Sequence, residues 1–280
     1  MTDRIMKNYR PTSPGRRQMQ SVDIKKTATA TSPYKPLTRG RHRAVGRNSD
    51  GRITTRHKGA GVKRLWREVD FRYDKKGVPA RVETLEYDPN RTAFIALLAY
   101  TDGEKRYVLA PEGLSVGAKV ITDENAPMET GNRTMLGKIP VGTAVYNVEL
   151  EPNRGAALAR SAGNKAVVLA QEEKTTHMEL PSKEIRRISS RAWASIGSLS
   201  NAEQRYMVIG NAGRNRRRGV RPTVRGSAMN PVDHPHGGGE GRTLIGRRRG
   251  PATPWGKPAR GVKTRGKKQS DKFILRRRRK

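Results

Sequence analysis

Alternation of apolar and polar residues is confined to the middle of the chain, between about residues 61 and 200. Within residues 61–125 it forms short runs separated by turn residues, a pattern typical of β-strands. Asp102-Gly103, a dipeptide common in tight hairpins, separates two of these runs. Short strands joined by turns predict a small β-barrel. The runs lie at residues 65–71, 81–87, 93–100, 106–109 and 119–122.

A second strand-rich block is predicted over residues 126–200. The acidic stretch 123–127 separates it from the first block and is interpreted as a linker. Alternation predicts a strand that places Tyr146, Val148 and Leu150 on one face. The runs of this block lie at residues 144–150, 166–170, 177–180, 184–188 and 192–196.

Helices are predicted to be few and short, because no segment of residues 61–200 has a long apolar repeat of 3.6 residues. One short helix is predicted over residues 202–209. The fold class is therefore all-β, with two barrels of roughly 60 to 70 residues that gain stability from a bound partner.

The two ends of the chain lack the residues of a hydrophobic core. Of 49 Leu, Ile, Val and Phe residues in the 280-residue chain, 32 lie in residues 61–200. The flanks bury too little apolar surface to fold alone. We therefore predict four parts: a first extension over 1–60, barrels over 61–125 and 126–200, and a second extension over 201–280.

Charge separates the same parts. The chain has 59 Lys and Arg against 25 Asp and Glu, a net charge of +34, but residues 61–200 hold 21 basic and 18 acidic residues. Residues 1–60 carry +12 and residues 201–280 carry +19. Such extensions need an anionic partner, and each cation docked on a nucleic-acid phosphate releases counterions, which makes binding strong and salt-dependent.

The spacing of the basic residues favours RNA. Glycine and proline alternate with arginine over residues 219–226, which allows close backbone approach and an extended path between RNA helices. Duplex DNA or an anionic membrane would call for DNA-reading helices or basic amphipathic helices, and neither pattern occurs. The alternative is a disordered polybasic tail that any polyanion satisfies.

Two absences in the sequence restrict the function classes. The chain has no cysteine, which excludes disulfides, thiolate metal sites and a cysteine nucleophile. Its longest apolar run, residues 96–99, is far shorter than the ~20 residues of a transmembrane helix. Without a secretory apolar region, the chain is expected to stay in the cytoplasm and not to bind a membrane.

A histidine–glycine segment, residues 229–241, is the least generic part of the chain. His234 and His236 with Asp233 form a weak metal pattern, and His234 with Asp233 as base and Ser227 as nucleophile form a weak catalytic one. The triglycine run that follows suits close approach to RNA. The residues alone do not separate this recognition role from a simple glycine-rich turn with exposed histidines.

This segment and several others closely resemble the bacterial form of the large-subunit ribosomal protein two family. The resemblance extends over almost the whole chain, and its motifs occur in one order; residues 20–47 and 214–218 depart from the family pattern. The matching segments are residues 11–17, 48–57, 85–91, 102–111, 139–142, 158–163, 217–226, 229–241, 253–256 and 270–278.

The resemblance implies an OB-like barrel over residues 61–125 and an SH3-like barrel over residues 126–200, both docked on 23S ribosomal RNA. It implies a structural protein that supports subunit association, tRNA binding and peptide-bond formation. The loop from His234 to Gly239 is expected near the peptidyl-transferase region, whose catalyst is RNA, so the family role of His234 is architectural. No enzyme activity and no cofactor are expected, apart from Mg²⁺ associated with the RNA.

The expected partners are 23S ribosomal RNA, other large-subunit proteins and the small subunit, without homo-oligomerisation. The expected location is a cytoplasmic ribosome rather than an organellar one.

For Trp255, base stacking and packing on neighbouring prolines both stay open. An enzyme with His234 as base and a nonspecific polyanion packager are the competing hypotheses. The predicted RNA-contacting residues are Arg52, Arg56, His57, Lys58, Arg217, Arg218, Arg221, Arg225, His234, His236, Gly237, Gly238, Gly239, Arg242, Trp255, Lys267, Lys268, Arg276, Arg277 and Arg278.

Overall fold

The computed structural model describes residues 6–43 and 45–278. These residues divide into two compact units. The first, which we call the β unit, contains the described residues up to 43, residues 63–211 and residues 272–278. The second, which we call the basic unit, contains residues 45–62 and 212–271.

Short strands dominate the described residues, and the prediction of an all-β protein with few, short helices is confirmed. No described helix is long and apolar enough to cross a membrane. The α-helices are α1 (Pro14–Arg17), α2 (Ile24–Thr27) and α3 (Ala212–Arg218). The 3-10 helices are Lys35–Leu37, Leu136–Lys138, Ala202–Tyr206, Gly226–Ala228 and Gln269–Phe273. The strands are β1 (Met6–Asn8), β2 (Gln20–Val22), β3 (Thr38–Gly40), β4 (Leu65–Arg67), β5 (Ala80–Glu86), β6 (Ile95–Tyr100), β7 (Lys105–Leu109), β8 (Lys119–Val120), β9 (Arg133–Met135), β10 (Ala144–Tyr146), β11 (Val148–Glu149), β12 (Ala156–Leu158), β13 (Ala166–Gln171), β14 (Thr175–Glu179), β15 (Ile185–Ser189), β16 (Trp193–Ile196) and β17 (Ile274–Arg276).

The first strand-rich block forms a four-stranded antiparallel sheet with the order β7-β6-β5-β8. Its hairpin turn is the predicted Asp102-Gly103, where Gly103 has φ 87° and donates its N–H to the Tyr100 carbonyl at 3.0 Å. A bulge between Val82 and Thr84 shifts the register of β5 against β6. The predicted runs of this block thus correspond to the strands from β4 to β8.

The second block forms a seven-stranded antiparallel sheet with the order β17-β15-β14-β13-β10-β16-β9. The predicted single strand over residues 144–150 is wrong, because Asn147 has a left-handed φ of 49° and separates β10 from β11. The expected one-sided face is therefore lost: Tyr146 and Val148 are buried together with Val145, whereas Leu150 is exposed. Simple alternation fails where one residue leaves the extended conformation.

Strand β6 contributes to two hydrophobic clusters. Ile95 and Leu97 point into a cluster that contains most of the buried residues of the second block, such as Val145. Ala96 and Leu98 point into the cluster of the first block. Because side chains alternate across a strand, one apolar strand contributes to two cores, and the OB-like and SH3-like barrels share buried surface along it.

Residues 6–43 pack against the rest of the β unit. The Tyr34 N–H donates to the hydroxyl of buried Tyr107 at 2.8 Å, Leu37 contacts the larger cluster, and β3 pairs with β4. Of the predicted first extension, residues 6–43 therefore belong to the β unit, and residues 45–60 belong to the basic unit. The domain boundaries at residues 60, 125 and 200 stay a prediction.

A buried ion pair stabilises the centre of the second block. The Nη2 atom of Arg133 lies 3.0 Å from Oε1 of Glu149, and each residue is 1% exposed. The Arg133 guanidinium also donates to the Asn147 carbonyl at 2.7 Å and stacks 4.3 Å from the centre of the Tyr73 ring. Burial raises the pKa of Tyr73 to about 12, so its hydroxyl stays protonated while it accepts from Asn147 Nδ2 at 2.7 Å.

Candidate nucleic-acid interface

The basic unit combines high charge with almost no buried side chains. Its 78 residues include 20 Lys and Arg and 4 Asp and Glu, a net charge of +16. Of residues 45–62 and 212–271, all of which the structure describes, His234 and Ala252 are buried. A unit of this kind presents its cations to solvent, which is the electrostatic footprint of a nucleic-acid-binding surface.

Two segments that are far apart in sequence pair in this unit. An antiparallel bridge joins Lys58 to Val220. Three backbone hydrogen bonds of 2.8 to 3.1 Å accompany it. We call residues 57–62 together with residues 216–221 the clasp. It connects the two basic extensions without a hydrophobic core.

Helix α3 ends at Arg218 inside the clasp and is followed by Gly219. Gly219 has φ 92° and donates its N–H to the Arg216 carbonyl at 3.0 Å, while the Val220 N–H donates to the Asn215 carbonyl at 3.1 Å. This pair of bonds is a Schellman motif, in which glycine takes the left-handed position after the helix. The helix end therefore directs the following residues toward residues 57–62.

Gly61 fits the clasp because it has no side chain. Its φ is 66°, and a Cβ atom there would lie 2.5 Å from the Arg217 carbonyl oxygen and 2.8 Å from the Gly219 nitrogen. His57, which accepts the Arg221 N–H at 3.1 Å, has the left-handed φ of 61° that non-glycine residues adopt rarely. The close approach thus depends on local backbone conformation.

A concavity of about 350 Å³ lies beside the paired segments. Residues 59–62 form one side, and Arg216, Arg217 and Arg221 form the other. All three arginines are exposed, and none forms an ion pair with a described carboxylate. The arrangement offers three guanidinium groups to one anion.

Trp255 lies on the surface of the basic unit at the tip of a turn. It is 73% exposed, so packing on its neighbouring prolines covers little of the ring. The Arg56 guanidinium lies 5.0 Å from the ring centre. The turn is closed by the Thr253 N–H, which donates to the Lys257 carbonyl at 2.7 Å. An exposed indole beside a cation is suited to base stacking.

The histidine–glycine loop is held by its own imidazoles. Nδ1 of His234 accepts the His236 N–H at 3.0 Å, and Nε2 of His236 accepts the Ala252 N–H at 2.9 Å. The two ring centres are 4.6 Å apart. His234 is buried beneath Gly226, where a Cβ atom would lie 2.5 Å from the ring. Both histidines act here as hydrogen-bond acceptors that fix the loop.

This geometry counts against the catalytic and metal hypotheses for the loop. Desolvation, followed by the charges of His234 and Arg247, lowers the pKa of His236 and favours its neutral form. One nitrogen of each imidazole, Nδ1 of His234 and Nε2 of His236, already accepts a backbone N–H and is not available to a metal or a substrate proton. Among the described residues, no group of three or more His, Asp or Glu side chains is placed to hold a metal ion.

The structure separates the predicted RNA-contacting residues into two places. Arg276, Arg277 and Arg278 lie in the β unit, where β17 pairs with β15. The others lie in the basic unit, where His234 is buried and His236, Gly237 and Gly238 are half-buried. The exposed residues there are Arg52, Arg56, His57, Lys58, Arg217, Arg218, Arg221, Arg225, Gly239, Arg242, Trp255, Lys267 and Lys268.

Sequence reasoning missed Arg216 and the glycines of the clasp. Residues 214–218 are visible in the sequence only as a dense group of arginines, and the sequence gives no sign that they face Gly59 and Gly61. One sequence signal for the clasp was the glycine after the arginine group, since a glycine at position 219 indicates the end of a helix. No local pattern indicates which distant segment this end meets.

Two family models match the chain. The one described as Ribosomal Proteins L2, RNA binding N-terminal domain, matches residues 34–122. The one described as Ribosomal Proteins L2, C-terminal domain, matches residues 129–256. Together they include both strand-rich blocks and much of the basic unit, from α3 to Trp255.

Proposed function

Because the chain belongs to the ribosomal protein L2 family, whose members are RNA-binding structural proteins of the ribosome, we propose that it binds 23S ribosomal RNA directly and organises RNA near the peptidyl-transferase region. The observation that carries this proposal is the basic unit, with a charge of +16 over 78 residues and almost no core. RNA phosphates take the place of buried apolar contacts in holding its segments together.

The proposed mechanism is neutralisation of phosphates at many points along the extensions. Exposed guanidinium groups bind phosphates bidentately, and Trp255 stacks on a base. The β unit supplies the scaffold, since it has its own core and strand pairing. Contacts at separated points join RNA segments that the RNA alone holds less firmly.

The histidine–glycine loop is proposed to support RNA architecture without proton transfer. The hydrogen bonds from the His236 and Ala252 N–H groups to imidazole nitrogens support this role. With a neutral His236, the loop keeps a fixed backbone that can approach RNA at Gly239, which is exposed. The loop thus contributes shape, and the chemistry of peptide transfer belongs to RNA.

The proposal extends to the assembled ribosome. The chain contacts other large-subunit proteins, supports association with the small subunit and tRNA binding, and acts as a single copy in cytoplasmic ribosomes. The alternatives are a nonspecific polyanion packager, which the chain's charge alone would permit, and an enzyme that uses His234 as base.

Competition binding tests the proposal against the packager. The full chain is mixed with labelled 23S ribosomal RNA at ~0.2 M salt, and random RNA of equal length is added as competitor. The affinity of a specific binder for 23S ribosomal RNA is expected to exceed its affinity for random RNA by about 10³. Equal competition would reject the proposal. Crosslinking in intact ribosomes then maps the nucleotides attached to each unit.

The His234→Gln variant tests the enzyme alternative. Glutamine still accepts a hydrogen bond but does not titrate. If His234 transfers no proton, ribosomes reconstituted with this variant keep the pH profile of peptide transfer seen with the unchanged chain. Loss of an ionisation from that profile would assign His234 a proton-transfer role. Reconstitution with His42→Gln provides a control for handling, since His42 is an exposed histidine of the β unit.

A further inference from the structure

Three arginines of the clasp line its concavity and form no ion pair with a described carboxylate. Arg216, Arg217 and Arg221 line one concavity, and its remaining lining, residues 59–62, has no charged side chain. Guanidinium groups that share a small space repel one another. An arrangement that keeps them together without a carboxylate favours an anion between them.

Gly59 makes the concavity possible. A Cβ atom at Gly59 would lie 3.3 Å from Cγ of Arg221 and 3.7 Å from Nη1 of Arg216. Both side chains therefore extend over the bare backbone of Gly59 from the opposite segment. The absence of a side chain here brings the two arginines to the same place from different turns of the chain.

We infer that the clasp binds one backbone phosphate of the RNA, held between Arg216 and Arg221, so that the two extensions bind RNA as a joined pair. The inference rests on the proposed function and adds the ligand of this site. Planar guanidinium groups match the oxygens of a phosphate bidentately, and the concavity is open to solvent on the side of its exposed arginines. A phosphodiester can enter there while its RNA strand continues on both sides.

The site makes the two extensions interdependent. Residues 57–62 alone supply a backbone platform without a guanidinium, whereas residues 216–221 alone supply guanidinium groups without the platform. A phosphate that contacts both stabilises their pairing, and their pairing prepares the phosphate site. This reciprocity predicts coupled effects of substitutions in segments that are about 150 residues apart in the sequence.

A double-mutant cycle on the full chain tests the inference. The dissociation constant for 23S ribosomal RNA is measured for Arg216→Gln, Arg221→Gln and the double variant; each single change is expected to weaken binding about tenfold, the effect of one charge-assisted hydrogen bond. The double variant is expected to lose much less than the product of the two, since both arginines hold one phosphate. Multiplicative losses would overturn the shared site.

Gly61→Ala provides a second route to the same question. Its Cβ would meet the Arg217 carbonyl, so the variant opens the clasp while leaving every cation in place. Arg221→Gln is then expected to cause little further loss. Gly266→Ala is the matched control, because its Cβ would meet no atom within 4 Å, and in that background Arg221→Gln should keep its full effect; an equal effect in both backgrounds would refute the coupling.

Two further arms separate the possible failures. If the unchanged chain binds 23S and random RNA equally, the proposed function fails, whatever the cycle shows. If specific binding holds but the coupling is absent, the clasp inference alone fails. Inorganic phosphate at constant ionic strength is titrated against the Arg216 and Arg221 Nε–H signals; tight binding of phosphate without coupling in RNA binding would assign the site to a free anion instead.

Discussion

The β unit and the basic unit carry the same net charge but hold it differently. The described part of the β unit has 36 basic and 20 acidic residues over 194 positions, and the basic unit has 20 basic and 4 acidic residues over 78 positions. Each nets +16. Charge density, and not net charge, distinguishes the part that folds on its own core from the part that has almost no buried side chains.

The two units also differ in how their arginines are paired with carboxylates. Arg106 of the β unit lies against Asp70, Asp74 and Glu104, and desolvated Arg133 lies against Glu149. In the clasp the corresponding guanidinium groups face an open concavity. Internal ion pairs are therefore part of the β unit's folded state. In the basic unit Arg265 pairs with Asp271, but the three arginines of the concavity form no ion pair with a described carboxylate.

The largest expected effect is on the stability of the β unit. Arg133→Ala leaves Glu149, which is 1% exposed, as an uncompensated buried charge, and is expected to lower the free energy of unfolding by about 3–5 kcal/mol. Urea unfolding followed by circular dichroism measures it. The control is Arg154→Ala, whose ion pair with Glu151 is exposed at the surface and is worth at most about 1 kcal/mol. Equal losses of unfolding free energy in the two variants would show that burial does not make the Arg133 ion pair more important than an exposed one.

A smaller effect is expected where residues 6–43 join the β unit. Tyr107→Phe removes a buried hydroxyl that donates to Glu86 at 2.7 Å and accepts the Tyr34 N–H, and should cost about 1–3 kcal/mol of stability. Hydrogen exchange at the Tyr34 amide is expected to accelerate. Tyr206→Phe is the control, since Tyr206 is 57% exposed. Unchanged exchange at Tyr34 would mean that the hydroxyl does not fasten this segment.

A change in the basic unit should alter RNA binding and not stability. Trp255→Leu is expected to weaken binding to 23S ribosomal RNA by about 1–3 kcal/mol, the value of one stacked base, with the unfolding of the β unit unchanged. Trp66→Leu is the matched control, because Trp66 also carries an arginine, Arg41, over its ring but lies in the β unit. Equal losses of RNA affinity for both variants would remove the distinction between the units.

The smallest effect concerns pH and the histidine–glycine loop. Because the folded pKa of His236 is lowered, the folded loop binds fewer protons than the unfolded one; its stabilisation is complete above the unfolded pKa of about 6.5 and is lost as pH falls through the folded value. Exchange at the Ala252 amide, which donates to His236, should therefore accelerate between about pH 7 and pH 5 beyond its intrinsic rate. In His236→Gln this pH dependence should disappear; its persistence would assign the effect to another group.

The strand pattern was predictable to the extent that alternation is local. Strands from β4 to β8 and from β13 to β16 lie where apolar runs occur. Strands β1, β2 and β3 were missed because they lie in the basic first extension, and β17 because it lies in the basic second one. Strands β9 and β12 were missed because no apolar run marks them. The face expected for Tyr146 failed at a single left-handed residue, Asn147.

For the candidate site, the sequence indicated which residues carry the chemistry but not which of them meet. Arg221 and Trp255 were expected to contact RNA, and the structure gives each a neighbour from the first extension, at the clasp and at Arg56. Two histidines expected to contact RNA, His234 and His236, accept backbone N–H groups within the basic unit, and His234 is buried. Such roles depend on hydrogen-bond partners that residue type does not specify.

By itself, the sequence determined where most strands of the two blocks form and where charge accumulates, since both follow from the order of neighbouring residues. The tertiary structure decided that β6 supplies two cores, that residues 6–43 belong to the β unit, and that the clasp joins residues 57–62 to residues 216–221. The physical reason is the same in each case. A core or a backbone pairing between distant segments depends on loop closure and on close contact in space, which a local pattern of apolar and charged residues does not encode.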